Sequence, residues 1–140
     1  SEPKEFPHRM EAGLPNIAGL VGLGQAAEYI SDIGMDQIHG HEQELSQRLR
    51  DGIGDIGGVS EVGREAPGVF SLAVDGVDPH QVSLMLDQRD IAVRSGMHCL
   101  HSWFHSHSQE PTIRASLHLY NNENDIEFLT QALNQIVVLG

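Results

Sequence analysis

Val69-Phe70-Ser71-Leu72-Ala73-Val74 sets Phe70, Leu72 and Val74 on one side of an extended chain, and four residues later Asp78-Pro79 opens a stretch with another habit. Apolar residues at alternate positions mark a strand with one face in a core. Val82, Met85 and Leu86 instead recur at helical spacing, behind an Asp that caps free amides and a Pro that loses nothing at the first helical position. A half-buried strand followed by an amphipathic helix is the local unit from which the rest of the chain can be read.

Toward the N-terminus, residues 59–62 form a shorter strand, joined to 69–74 through a glycine-bounded turn over 63–68, which predicts a hairpin. Ahead of it lie two helices. One starts at Ile17, capped by Asn16 and stopped by Gly34, with Ile17, Leu20, Val21, Ala27 and Ile30 as its apolar positions. The other spans about 36–52, with Ile38, Leu45 and Leu49 on one stripe, and ends in the cluster Gly52, Gly54, Gly57 and Gly58. Residues 1–16 carry Pro3, Pro7 and Pro15 without an apolar period and read as a linker arm, with 17–140 as the domain proper.

Toward the C-terminus, 91–94 reads as a strand, 99–111 as a loop and 113–119 as a second alternating strand. Asn122 with Asp125 three residues on resembles a capping box, and Ile126, Leu129, Leu133, Ile136 and Val137 give the last helix its apolar face. The order αα-ββ-α-β-β-α implies an α+β fold: a two-layer sandwich with helices on one face of a largely antiparallel sheet. The other face is left for another domain or partner.

The 140 residues suit one domain with a moderate core, and no stretch resembles a signal peptide or a membrane span. A cytoplasmic, reducing setting is the default expectation. The net charge of −12, with Lys4 the only lysine beside seven arginines, argues against nucleic acid or anionic membrane as partners, since neutralising phosphates needs clustered positive charge.

The chain holds one cysteine, in Arg94-Ser95-Gly96-Met97-His98-Cys99, and Arg114-Ala115-Ser116 begins fifteen positions after it. A lone thiol is either an inert buried residue or a reactive group. Arg94 and His98 beside it favour the nucleophilic form, and Gly96 frees the backbone to expose it. The same region concentrates His98, Cys99, His101, His105 and His107, borderline metal ligands whose spacing matches no familiar closed site, so no metal ligand is assigned. Gly19, Gly22 and Gly24 lack a preceding strand and the dinucleotide-binding order, and read as helix-packing positions. His39, His41, His80 and His118 read as ordinary structural histidines, and Asp32, Asp36, Glu42 and Glu44 as a solvated face.

Arg9-Met10-Glu11-Ala12-Gly13-Leu14-Pro15-Asn16, the Arg94 to Cys99 string, Arg114-Ala115-Ser116 and Tyr120-Asn121 stand in an order that resembles the group II cysteine desulfurases of the class V aminotransferase family. Gly19 to Gly24, Ala26-Ala27-Glu28-Tyr29-Ile30 and Gly68-Val69-Phe70-Ser71 agree, so the resemblance covers nearly the whole chain. It implies the small C-terminal domain of a pyridoxal phosphate enzyme that takes sulfur from L-cysteine, leaves alanine and holds the sulfur as a persulfide on Cys99. An acceptor protein, as in iron-sulfur cluster assembly, would receive it. By the same resemblance Arg114 grips the substrate carboxylate, while Arg94 and His98 orient the loop or tune the thiol. The full-length enzyme would be a homodimer.

The cofactor's lysine would lie in a large domain upstream, Lys4 being an unsuitable candidate, so the chain alone should be inactive. Leu14 stands where the family usually places a hydroxyl residue that contacts the cofactor phosphate, which leaves the cofactor-binding residues of this chain unknown. Met97 replaces a common histidine, and no proline follows Cys99 closely. Two other functions fit the same residues: a selenocysteine lyase or other lyase of the fold, and an acidic binding module with a His/Cys metal loop.

Overall fold

Ser71 pairs with Arg114 and Leu72 with Ile113 at the centre of a four-stranded antiparallel sheet whose order is β1-β2-β4-β3. The strands are β1 (Val59–Glu61), β2 (Val69–Val74), β3 (Arg94–Gly96) and β4 (Thr112–Ser116). The helices are α1 (Ile17–Ile33), α2 (Met35–Gly54), α3 (Pro79–Asp87), α4 (His101–Ser106) and α5 (Glu123–Leu139). The structure, a computed structural model, describes residues 5–10, 13–63 and 66–139.

The chain divides into two compact units, Ser1–Met35 and Asp36–Gly140. In the first, a 3-10 turn at His8–Met10 precedes α1. Asn16 caps α1 by accepting from the Gly19 amide at 3.0 Å, and Gly34 ends it in a left-handed conformation, its N–H donating to Ile30 O. A Cβ at Gly19 would sit 2.6 Å from the Asn16 side chain, whereas Gly22 and Gly24 face open space. The apolar residues of α1 are present as expected, yet none is buried.

In the second unit the core is one-sided. Phe70, Leu72 and Val74 of β2 and Ile113 and Ala115 of β4 share a face, and against it pack Leu45, Leu49 and Ile53 of α2, Val82 and Leu86 of α3, and Ile126, Leu129, Leu133 and Ile136 of α5. This is the expected α+β two-layer arrangement. Period two in the strands sends Ser71, Thr112 and Arg114 to the opposite face, along with Arg94, which stands directly across from Arg114.

Local signals explain the elements that begin where the sequence placed them. Asp78 Oδ1 accepts from the His80 and Gln81 amides ahead of α3, with Pro79 at its first position. Asp125 accepts from the Asn122 amide and Asn122 from the Asn124 amide, a reciprocal cap ahead of α5.

Three segments differ from expectation. Residues 99–111 contain α4, a helix of six residues, too short to show an apolar period; it forms because Phe104 is buried and the Phe104 amide reaches Leu100 O at 3.1 Å. The third strand is Arg94–Gly96 and not 91–94: Ile91 and Val93 pack on the core from the approach to the strand, so their apolar character reports burial without pairing. β4 stops at Ser116, where the chain turns through His118–Asn121, a turn tied by the His118 amide to Asn121 Oδ1 and by Asn121 O to His41 Nε2.

Gly68 opens β2 at φ +73°, its amide bonded to the buried Ser46 hydroxyl, and a Cβ there would come within 3.1 Å of Leu117 O. Gly68→Ala should therefore cost about 1–3 kcal/mol, from left-handed strain and the carbonyl contact. Leu133→Ala, at a fully buried position, should cost about 2–5 kcal/mol. Urea denaturation checks both; unchanged midpoints would contradict the packing described.

Candidate active site

Antiparallel pairing places Arg94 of β3 opposite Arg114 of β4 on the sheet face away from α2, α3 and α5. Two like charges directly across a ladder repel. Such a pair persists where something else offsets it, and here the offset is partial: Arg94 Nη2 donates to Cys99 Sγ at 3.3 Å, while Arg114 Nε is buried with no partner among the described residues. A buried guanidinium N–H without an acceptor marks a place prepared for an anion, and its fork matches a carboxylate.

Cys99 reaches Arg94 through a tight turn. Met97 O accepts from the Leu100 amide at 2.8 Å, and the two residues between, His98 and Cys99, both take left-handed backbones at φ 51° and 64°. Consecutive left-handed residues are the signature of a primed turn, normally occupied by Asn and Gly. Each such residue without a glycine costs about 1 kcal/mol or more, the kind of strain found where a side chain must be aimed. Gly96, at φ +115°, leads into the turn. The thiol is free and exposed.

His98 turns inward. Its Nε2 lies 2.9 Å from the Thr112 hydroxyl, its ring meets Phe104 edge to face at 6.2 Å between centroids, and its Nδ1 is buried with no partner among the described residues. Burial lowers its pKa below the ordinary histidine value, and the charges of Arg114 and then Arg94 lower it further, against a smaller opposing effect of the Thr112 backbone. A neutral imidazole is the result at neutral pH.

The structure thus brings Arg94, His98 and Cys99 together, with Arg114 across the ladder from Arg94. Leu14 belongs to the other unit, where it is exposed and offers no donor. Lys4 lies outside the described residues. Among the described residues no three His, Cys, Asp or Glu side chains group as metal ligands, and His107 is stacked on Trp103 at 4.5 Å. Nor is any helix of the described residues long and apolar enough to cross a membrane. A concavity of about 960 Å³ lies between the β2 end and the segment after α4, lined by Asp75, Asp78, Trp103, His107 and Glu110. None of the four residues around the thiol borders it.

Sequence reasoning missed two partners. Thr112 sits two positions before Arg114 and so on the same strand face, a signal that period two alone could have supplied. Glu42, read as part of a solvated face, bonds His118 Nδ1 across 76 residues, a contact no local pattern shows.

The model of the aminotransferase class-V family matches residues 1–129, and the chain belongs to that family. A protein of Xylella fastidiosa (strain Temecula1) named "Probable cysteine desulfurase" is 41% identical over 96% of this chain and 33% of its own length. One of the same name from Halalkalibacterium halodurans is 38% identical over 94% of this chain and 33% of its own. The solved apo cysteine desulfurase of Thermococcus onnurineus superposes with a TM-score of 0.90 at 35% identity, covering 98% of this chain and 35% of that one. The chain therefore spans about a third of the length of the relatives it matches.

The depressed pKa of His98 has a sign that can be tested. Unfolded, His98 takes up a proton near its ordinary pKa of about 6.5, while the folded state resists it, so stability is highest above that pH and falls as pH drops through it toward the lower folded value. The melting temperature of wild type should fall more steeply between pH 7.5 and 5.5 than that of His98→Asn. Parallel profiles would contradict the assignment.

Proposed function

We propose that this chain is the small C-terminal, sulfur-handling part of a pyridoxal phosphate-dependent cysteine desulfurase, with residues 1–16 as the arm to a large domain and 17–140 as the domain itself. The observation that carries the reading is the placement of an exposed thiol 3.3 Å from Arg94, across the ladder from an Arg114 whose buried Nε has no partner among the described residues. Relatives named as cysteine desulfurases, matched over about a third of their length, support it.

The groups around Cys99 fit the substrate and not the cofactor. Arg94 and Arg114 suit a carboxylate, whereas pyridoxal phosphate asks for a lysine and for phosphate donors, which neither Lys4 in the arm nor Leu14 supplies. When bound by the remainder of the enzyme, the cofactor withdraws electrons from the amino acid and so weakens its carbon–sulfur bond. Within this chain, Arg114 holds the carboxylate of L-cysteine as a bidentate fork and offsets its own repulsion with Arg94 in doing so. Cys99, as thiolate, attacks the substrate sulfur; a sulfur–sulfur bond forms and the electron pair of the broken bond stays with carbon, which is protonated on the way to alanine. The exposure of Cys99 then leaves the persulfide open to an acceptor protein in a reducing, cytoplasmic setting. The full-length enzyme acts as a homodimer.

In the full-length enzyme, Cys99→Ala should abolish persulfide formation and sulfur transfer while leaving cofactor absorbance intact. Full retained transfer would sink this reading in favour of a cysteine-independent lyase. Arg114→Lys keeps the charge and loses the fork, and should reduce kcat/KM for L-cysteine roughly 10- to 100-fold. Steady-state kinetics checks it, and an unchanged value would remove Arg114 from substrate binding.

A further inference from the structure

We propose that Thr112 is a positioning residue for sulfur transfer: its hydroxyl anchors His98 to β4 and, through His98, fixes the turn that presents Cys99. The inference rests on the reading of Cys99 as sulfur carrier and extends it to a residue that touches neither substrate nor sulfur.

Thr112 is fully buried on the face of the sheet that otherwise carries the arginines. A buried hydroxyl needs a partner, and the one it has is His98 Nε2 at 2.9 Å. His98 in turn is the first of the two left-handed residues of the 97–100 turn, so its side chain is the lever by which the turn is held in a conformation its residues do not favour alone. Among the described residues, the side-chain hydrogen bonds that tie His98 and Cys99 outward are this one and Arg94 to Cys99. Phe104 of α4 closes the other side of the ring edge-on.

The strand connects this anchor to the substrate grip. Thr112 and Arg114 project from the same face of β4, opposite Gly96 and Arg94. One rigid element therefore sets where the carboxylate is held and where the turn bearing the thiol is fastened, and the separation of the two is defined through Thr112 and His98. The charged and titratable groups facing His98 are Arg94 from β3, Arg114 from β4 and Cys99 beside it in the turn. Kept neutral among the arginines, His98 suits a neutral hydroxyl better than a carboxylate partner, which would draw a proton onto it.

Thr112→Val keeps shape and removes the hydroxyl; Thr112→Ser keeps the hydroxyl. In the full-length enzyme, Val should lower kcat for sulfur transfer about 3- to 10-fold with KM for L-cysteine unchanged, and Ser should restore kcat to within about twofold. In the chain itself, where Cys99 is the only cysteine, iodoacetamide labelling should slow with Val and recover with Ser. A Val variant at wild-type rates, or Val and Ser equally impaired, overturns the proposal; should Val fail to fold, Thr112→Ala replaces it under the same criteria. Cys99→Ala in the same assay separates the two claims: if it is dead while Val is normal, only the role of Thr112 falls, and if it is active, the reading of Cys99 falls.

Discussion

Every apolar side chain that β2 and β4 bury goes to one face of the sheet, and the rest of the second unit depends on that one-sidedness. Phe70, Leu72, Ile113 and Ala115 hold α2, α3 and α5. Because strand side chains alternate strictly, committing these residues to the core commits Arg114 and Thr112 to the other side with no further instruction. A slip of one residue would bury a guanidinium and expose Ile113, an exchange costing far more than any single contact. The hydrophobic core thus determines where the chemistry stands.

What the core does not determine is the charge balance on the opposite face. Arg94 and Arg114 face each other because the β3–β4 register requires it, and their repulsion is lessened only on one side, by the sulfur. Elsewhere among the described residues, Arg50 pairs with Glu61 at 2.9 Å and lies over the ring of Phe70, and Arg48 pairs with Glu44 and Glu123. Among the described residues Arg94 and Arg114 have no carboxylate partner, an arrangement costly for stability and suited to an anion.

Legibility followed the range of the interaction. The caps Asn16, Asp78 and Asn122, the stop at Gly34 and the alternation in β2 are local, and the elements they mark lie where the sequence placed them. α4 escaped because six residues cannot display a period, and β3 was misplaced because Ile91 and Val93 are apolar for packing and not for pairing. At the candidate site, Arg94, His98 and Cys99 stand together in one hexapeptide, while the part given to Arg114 came from the family resemblance. That His98 points at Thr112, or that the thiol rides a turn of two left-handed residues, depends on contacts across the strand and on backbone angles that neither residue type advertises.

That turn also narrows the variation open to the protein. Positions 98 and 99 can be filled without further penalty by glycine, asparagine or aspartate, and with modest penalty by compact unbranched residues such as alanine or serine; valine, isoleucine and threonine are all but excluded by their branched Cβ. Replacement of this histidine or cysteine by a β-branched residue would therefore be penalised twice, once in chemistry and once in backbone geometry. The pair is guarded by the shape of the main chain as well as by whatever use is made of the sulfur.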